Sequence, residues 1–116
     1  MALLEKKVGI VTGAGQGIGR AIARRCADER ANVVLVDMDE AALHATVEGL
    51  RERASADDRD RFSAIAGDIS AESTIETMID TALSQHGRLD GLVNNAGVAV
   101  IAPLIEIDED DMFFQM

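Results

Sequence analysis

A glycine-rich segment near the start of the chain constrains the fold more than any other feature of the sequence. Residues 12–19 read Thr-Gly-Ala-Gly-Gln-Gly-Ile-Gly and lie between a β-branched run over residues 7–12 and apolar residues at helical spacing over residues 18–29. A strand that turns through glycines directly into a helix is typical of the start of a βαβ unit. Because the N-terminus of that helix offers free N–H groups and a positive dipole end, the segment predicts a phosphate-binding turn.

The glycines of this segment have separate expected roles. Gly13 allows the sharp turn, Gly17 lets the backbone approach phosphates without a Cβ in the way, and Gly19 permits close packing of helix on sheet. The spacing, Gly-x-x-x-Gly-x-Gly, differs from the commoner Gly-x-Gly-x-x-Gly and lacks the Gly-Lys-Ser/Thr end of a P-loop. This disfavours an NTPase, while a glycine-rich turn that binds no ligand stays open as an alternative.

Hydrophobic periodicity predicts an alternation of strands and helices along the rest of the chain. Asp39 is suited to N-cap the second helix and Gly87 to end the third, and a last amphipathic segment begins near Asp108. Four parallel strands in the order 3-2-1-4, with helices on both faces, make a doubly wound α/β sheet, or Rossmann fold, in which strand four is an unpaired edge. The predicted elements are strands over 33–36, 61–66 and 89–94, helices over 40–53 and 71–86, and a polar loop over 55–60.

Composition and charge exclude several classes of protein. The 116 residues carry a net charge of −10, which opposes binding to nucleic acid or to anionic lipid surfaces. No apolar run reaches the roughly 18 residues that span a bilayer, and the first residues lack the layout of a signal peptide. We therefore expect a cytoplasmic protein that binds neither nucleic acid nor membrane.

The groups that most often carry chemistry are sparse in this sequence. Cys26 follows Ile18 and Ile22 on one helical face, so we expect it in the core. His44 and His86 lie on predicted helices, away from the carboxyl ends of the strands where open sheets form their sites. No cluster of Cys, His and Asp has metal-ligand spacing, so neither a metal site nor a catalytic residue is predicted.

Asp37 ends the second predicted strand, 20 residues after Gly17. At this place an acidic side chain can accept hydrogen bonds from both hydroxyls of an adenosine ribose. The 2′-phosphate of NADP would meet the carboxylate as a like charge, and the following Met38 offers no cation, so the pair favours NAD. A solvated strand-end aspartate, or one that caps the next helix, is the alternative interpretation.

Together, residues 12–19, Asp37, residues 68–69 and residues 94–97 resemble the short-chain dehydrogenase/reductase family, in its order and at its usual spacings. The resemblance implies that the cofactor pyrophosphate lies along Gly13, Gln16 and Ile18, beside Gly17 and Gly19. It also implies that Asp37 holds the adenosine ribose.

The same resemblance implies contacts at both ends of the cofactor. Met38 would flank the adenine, and Asp68 and Ile69 would contact it through a carboxylate and the backbone, although Asp68 could instead serve as a cap. The strand-four motif would border the nicotinamide-side ribose and support the sheet, although such residues also form an ordinary turn after a strand. This motif consists of Asn94, Asn95, Ala96 and Gly97.

The sequence departs from the family where catalysis is concerned. The family's catalytic Asn, Ser and Tyr-x-x-x-Lys come later, and this chain contains no tyrosine. Residues 109–116 resemble the family's helix just before the catalytic Asn, so residues 1–116 are expected to be the N-terminal, NAD-binding part of a longer domain and to be inactive alone. With an unpaired edge strand, we also expect marginal stability and self-association into a homo-oligomer. The apolar residues expected to lack cover are Val98, Val100, Ile101, Met112, Phe113 and Phe114.

The sequence therefore predicts an NAD-dependent oxidoreductase that acts on an alcohol or carbonyl substrate, represented here by its cofactor-binding part. One alternative is a non-catalytic dinucleotide-binding module, in which the bound nucleotide serves as a ligand or redox sensor. A protein-interaction domain that has lost its cofactor is a third interpretation, and it is weakened because the three key glycines and Asp37 are present.

Overall fold

The computed structural model describes residues 2–95 and the backbone of residues 101–103. Over residues 2–95 strands and helices alternate as the periodicity predicts. The elements are β1 (Val8–Thr12), α1 (Gly17–Asp28), β2 (Asn32–Asp37), α2 (Glu40–Arg53), a 3₁₀ helix (Ala56–Arg61), β3 (Phe62–Ala66), α3 (Glu72–His86), β4 (Gly91–Val93) and β5 (Ile101–Pro103).

The strands form one sheet in the order β3-β2-β1-β4-β5. The first four strands are parallel, which confirms the doubly wound order 3-2-1-4. The prediction that strand four is an unpaired edge is wrong, because β5 pairs antiparallel with β4 from Gly91↔Pro103 to Val93↔Ile101. Pairing satisfies the row of N–H and C=O groups that an edge strand would otherwise leave open.

Alternate residues of β2 face opposite sides of the sheet, as the pleat of a strand requires. Val33 and Leu35 belong to one core cluster, and Val34 and Val36 belong to another. The first cluster includes apolar residues of α1 and α2, and the second includes Met78 of α3. The helices therefore cover both faces, which explains why β2 is an unbroken apolar run.

The ends of two helices follow the residues predicted for them. The Asp39 side chain accepts a hydrogen bond from the Ala42 N–H at 3.0 Å and so caps α2. Gly87 adopts φ +78° after α3 and donates its N–H to the Leu83 carbonyl at 2.9 Å. Both predicted caps are confirmed, and they place the starts and ends of the helices relative to the sheet.

The segment predicted as a polar loop over residues 55–60 is instead largely helical. Its 3₁₀ helix begins after Ser55, whose carbonyl accepts from the Asp58 N–H at 2.9 Å. Arg61 at its end donates to the carbonyls of Ala27 at 3.4 Å and Ala31 at 2.7 Å. These long-range hydrogen bonds fix the segment against the end of α1. No local residue pattern predicts them.

Two sequence predictions concern regions or properties outside these elements. The amphipathic segment predicted from Asp108 lies outside the described residues, as do most of the apolar residues expected to lack cover. Among residues 2–95 and 101–103, none of the helices has the length and apolar character required to cross a bilayer.

Candidate functional site

The glycine turn sits at the carboxyl edge of the sheet, between β1 and α1. The Ala14 N–H donates to the Val36 carbonyl at 3.1 Å, which ties the turn to the end of β2. Gly13 and Gly17 adopt φ +65° and +62°, in the left-handed region where a side chain is strained. Any other residue at these two positions would therefore strain the backbone that connects β1 to α1.

Gly19 is packed so closely that no side chain fits. A Cβ at this position would overlap the Gly13 carbonyl and lie 2.8 Å from the Asn95 Nδ2. Gly17 differs, because among the described residues a Cβ there would meet no atom within 4 Å beyond its own chain neighbours and helix backbone. The structure thus packs the first turn of α1 against the glycine turn and the end of β4, and it leaves the space beside Gly17 open.

Asp37, the last residue of β2, holds its carboxylate in a fixed orientation. Its Oδ2 accepts the Gly15 N–H at 2.8 Å, and its Oδ1 accepts the Asp39 N–H at 2.9 Å. Each carboxylate oxygen has more than one acceptor site, so both can still accept a further hydrogen bond from a ligand hydroxyl. The side chain is half-buried, which leaves it accessible from the groove.

The N-terminus of α1 has no side-chain cap. Gln16 occupies the N-cap position in an extended conformation, φ −160° and ψ 169°, without a side-chain hydrogen bond to the helix. No acidic residue lies in the first turn. The N–H groups at this end therefore retain the positive field that attracts an anion such as a pyrophosphate.

The end of β4 is joined to the end of β1 through Thr12. The Thr12 hydroxyl lies 3.3 Å from the Val93 carbonyl oxygen and 3.2 Å from the Asn94 Oδ1, and it accepts the Asn95 N–H at 3.0 Å. Asn94 is buried, so this part of the strand-four motif contacts protein rather than the groove. Asn95 lies at the groove.

A groove of about 300 Å³ brings most of these elements together. The exposed Ile18 and Met38, 68% and 70% accessible, offer apolar surface next to the glycine turn and to Asp37. Ala96 and Gly97 lie outside the described residues. The groove is lined by Thr12, Gly13, Gln16, Val36, Asp37, Met38, Gly67, Ile69 and Asn95.

Asp68 stands apart from the groove lining. Its carboxylate is exposed and accepts the Ser70 N–H at 2.9 Å and the Ser70 hydroxyl at 2.7 Å. These hydrogen bonds lower the pKa of the Asp68 carboxyl. The residue thus closes a local turn after β3, while its neighbour Ile69 lines the groove.

The remaining reactive side chains, Cys26, His44 and His86, do not line this groove. Cys26 is half-buried against the core cluster between the sheet and α1, and burial raises the pKa of its thiol. His44 lies on α2, and His86 ends α3, where burial lowers the pKa of its imidazole. Within the described residues no group of three His, Cys, Asp or Glu side chains could hold a metal ion.

A second cavity, of about 320 Å³, lies near the starts of β2 and β3. Arg30 and Arg53 line it, but the carboxylates of Asp58 and Asp28 lie 3.5 Å and 2.7 Å from them. These acidic partners offset the positive charge that an anionic ligand would need. None of the residues that the sequence singles out for binding lies there.

Two residues at the site were given no role by sequence reasoning. Gly15 donates to Asp37, and its own carbonyl accepts the buried Thr46 hydroxyl at 3.1 Å. The position of Gly15 within the glycine cluster is the sequence signal that could have indicated its role. Nothing in the helical pattern of α2 distinguishes Thr46 from an ordinary core residue.

Comparison with known proteins gives a family match over almost the whole chain. The family model described as short chain dehydrogenase matches residues 7–116. A diacetyl reductase [(S)-acetoin forming] from Staphylococcus epidermidis is 36% identical over 108 residues, which cover 91% of this chain and 39% of that protein. The chain thus spans well under half the length of this relative.

Solved structures with the same fold contain either form of the nicotinamide cofactor. A short chain dehydrogenase/reductase from Burkholderia phymatum in complex with NAD is 34% identical, with a TM-score of 0.74, and the match covers 99% of this chain and 39% of that one. An L-sorbose reductase from Gluconobacter frateurii, complexed with NADPH and L-sorbose, is 31% identical, with a TM-score of 0.74, over 95% and 41%. Both cofactors therefore occur among solved structures that are similar to this chain.

Proposed function

Because this chain belongs to the short-chain dehydrogenase family, we propose that it forms the NAD-binding part of an oxidoreductase that acts on an alcohol or carbonyl substrate. The observation that carries the proposal is the Asp37 carboxylate, fixed by two backbone N–H groups at a groove lined by the glycine turn. In this proposal residues 1–116 constitute the cofactor-binding region of a longer domain.

The residues present fit a dinucleotide at three separate points. The uncapped N-terminus of α1 suits a pyrophosphate, because its free N–H groups and dipole favour an anion. The open space beside Gly17 allows close approach to the backbone. Asp37 suits a ribose with two hydroxyls, since its oxygens can each accept one further hydrogen bond.

The preference for NAD follows from charge at Asp37. A 2′-phosphate placed there would meet a carboxylate that the Gly15 and Asp39 N–H groups hold in place. Met38, the next residue, is exposed and uncharged. NADP should therefore bind more weakly than NAD, by about a few-fold or more.

The chemistry of the whole protein is divided between cofactor and chain. A bound nicotinamide cofactor supplies a hydride acceptor or donor. The chain's part is to bind and orient it through the turn, Asp37 and the end of β4, with Thr12 joining β4 to β1. The similarity to a diacetyl reductase supports a small carbonyl compound or the corresponding alcohol as substrate.

A second candidate is a dinucleotide-binding module without catalysis, since none of the described residues that line the groove is a His, Lys, Cys or Tyr. Proton transfer to a carbonyl oxygen needs a positioned acid, and neither of the two histidines, on α2 and at the end of α3, lines the groove. We therefore expect no turnover by the 116-residue chain alone. NADH formation from a small alcohol by the pure chain would contradict this expectation. Homo-oligomer formation and a cytoplasmic location stay predictions from the sequence.

Calorimetric titration of the chain with NAD and with NADP tests the cofactor site. Asp37→Ala should weaken NAD binding about ten-fold, because hydrogen bonds to a charged acceptor are lost. The same change should remove the preference for NAD over NADP. Glu40→Gln is the matched control, since it removes one negative charge from an exposed side chain three residues away. Failure of a folded chain to bind either dinucleotide, or an unchanged preference in Asp37→Ala, would overturn the proposal.

A further inference from the structure

Gly15 links the Asp37 carboxylate to the interior of the protein. Its N–H donates to the Asp37 Oδ2 at 2.8 Å, and its carbonyl accepts the Thr46 hydroxyl at 3.1 Å. Thr46 lies on the buried face of α2 and is 4% exposed, so it has no access to a ligand in the groove. One buried hydroxyl is therefore connected to the binding carboxylate through a single residue.

The packing around Gly15 is as restrictive as its hydrogen bonding. A Cβ at this position would lie 2.8 Å from the Asp37 Oδ2 and 3.0 Å from the Ala42 Cβ. The φ angle of Gly15 lies outside the left-handed region, so alanine is permitted by the backbone and is opposed only by these neighbours. Because Gly15 has no Cβ, the Asp37 carboxylate has room to occupy its position.

We infer that Thr46 and Gly15 are positioning residues that hold the Asp37 carboxylate in the orientation that discriminates NAD from NADP. The inference rests on the proposed function, because it concerns how the same site selects its cofactor. A carboxylate that can rotate away from the groove loses hydrogen bonds to the ribose hydroxyls and also repels a 2′-phosphate less. A fixed carboxylate accepts hydrogen bonds from the ribose hydroxyls and repels a 2′-phosphate. It also needs no reordering when the ligand binds.

A buried residue with a purely structural role would behave differently. Its loss would lower the stability of the chain and would weaken NAD and NADP binding to the same extent. The ratio of the two dissociation constants therefore separates positioning from general support. This ratio should change only when the orientation of the Asp37 carboxylate changes.

The principal test compares Thr46→Val with Thr46→Ser by calorimetry with NAD and NADP. Valine removes the hydroxyl at similar volume, and we expect the preference for NAD to fall by up to about five-fold, the equivalent of one ordinary hydrogen bond. Serine keeps the hydroxyl and should restore the preference, even if the lost methyl lowers the midpoint of thermal unfolding. An unchanged ratio in a folded Thr46→Val chain would overturn the inference.

The second pair of variants tests the packing. Gly15→Ala should reduce the preference for NAD at least as much as Thr46→Val, because its methyl displaces the carboxylate. Gly49→Ala is the control, since a Cβ at this α2 position meets no atom of the described residues within 4 Å outside its own stretch of helix. If Gly15→Ala keeps the wild-type ratio, the inference fails.

A readout in the ligand-free chain guards against variants that bind too weakly to titrate. The Gly15 amide proton, which donates to a carboxylate, should resonate downfield in a ¹⁵N-resolved NMR spectrum and move upfield in both Asp37→Ala and Thr46→Val. A Gly15 resonance unchanged by Thr46→Val would contradict the inference alone. If Asp37→Ala leaves the cofactor preference intact, the proposed function fails instead, so the two failures are distinguishable.

Discussion

Three helices begin at the groove edge of the sheet, and two of them, α1 and α2, differ most in how their N-termini are capped. Asp39 caps α2 by accepting the Ala42 N–H, and Glu40 adds a negative charge to the first turn. At α1 the N-cap is Gln16, whose side chain makes no hydrogen bond to the helix, and the first turn has no acidic residue. The third helix, α3, also lacks a side-chain cap but carries Glu72 in its first turn.

This difference shows which helix start receives a side-chain cap and a negative charge from the chain itself and which does not. A missing N-cap costs a helix about 1 kcal/mol, so α1 begins at a disadvantage that α2 does not have. An anion at the N–H groups of α1 would supply both the missing acceptor and the missing negative charge. The comparison therefore supports the assignment of the α1 N-terminus to phosphate binding and of the α2 N-terminus to structure.

The largest expected effect comes from filling the space at the start of α1. Gly19→Ala places a methyl onto the Gly13 carbonyl and next to Asn95, so the turn cannot keep its path. We expect the free energy of unfolding to fall by about 3 kcal/mol, with loss of NAD binding. Urea denaturation followed by circular dichroism measures the first effect. Gly49→Ala, the open-space control, should raise the free energy of unfolding by about 0.5–1 kcal/mol. If Gly19→Ala lowered this free energy by only about a few tenths of a kcal/mol, the result would contradict the packing argument.

Local patterns predict the parts of this fold that depend on local physics. The apolar run of β2 and the caps Asp39 and Gly87 are readable because each reflects a period of the backbone or a hydrogen bond between near neighbours. The glycine cluster is readable for the same reason. Its φ angles at Gly13 and Gly17 are the ones that glycine permits.

The features that the sequence did not predict depend on contacts between distant segments. The helical conformation of residues 56–61 is held by Arg61 at carbonyls some thirty residues earlier. The antiparallel strand β5 is only three residues long and is defined by its partner β4. Thr46 acquires its relation to the site from Gly15, 31 residues before it. Residue type and spacing do not contain this information, because each contact depends on the completed fold.

A smaller effect is expected from adding the cap that α1 lacks. Gln16 has the extended backbone of an N-cap residue, so Gln16→Asp can accept a first-turn N–H and should raise the free energy of unfolding by about 1 kcal/mol. The same carboxylate would repel a pyrophosphate, so NAD should bind about ten-fold more weakly. Denaturation and calorimetry on one sample measure both. Gln16→Asn, an uncharged cap, should share the gain in stability and lose less affinity, and tighter NAD binding by Gln16→Asp would contradict the comparison.

The smallest effect is expected where α2 loses the cap that it has. Asp39→Ala leaves the Ala42 N–H without its side-chain acceptor, while the Asp39 N–H can still donate to the Asp37 Oδ1. The free energy of unfolding should fall by about 1 kcal/mol or slightly less, since water can reach this exposed end of the helix and replace part of the bond. Asp39→Asn should restore most of the loss, because the asparagine side chain also accepts at an N-cap. If urea denaturation finds Asp39→Ala as stable as the wild type, then α2 does not depend on its cap, and the contrast with α1 would cease to distinguish a structural helix end from a binding one.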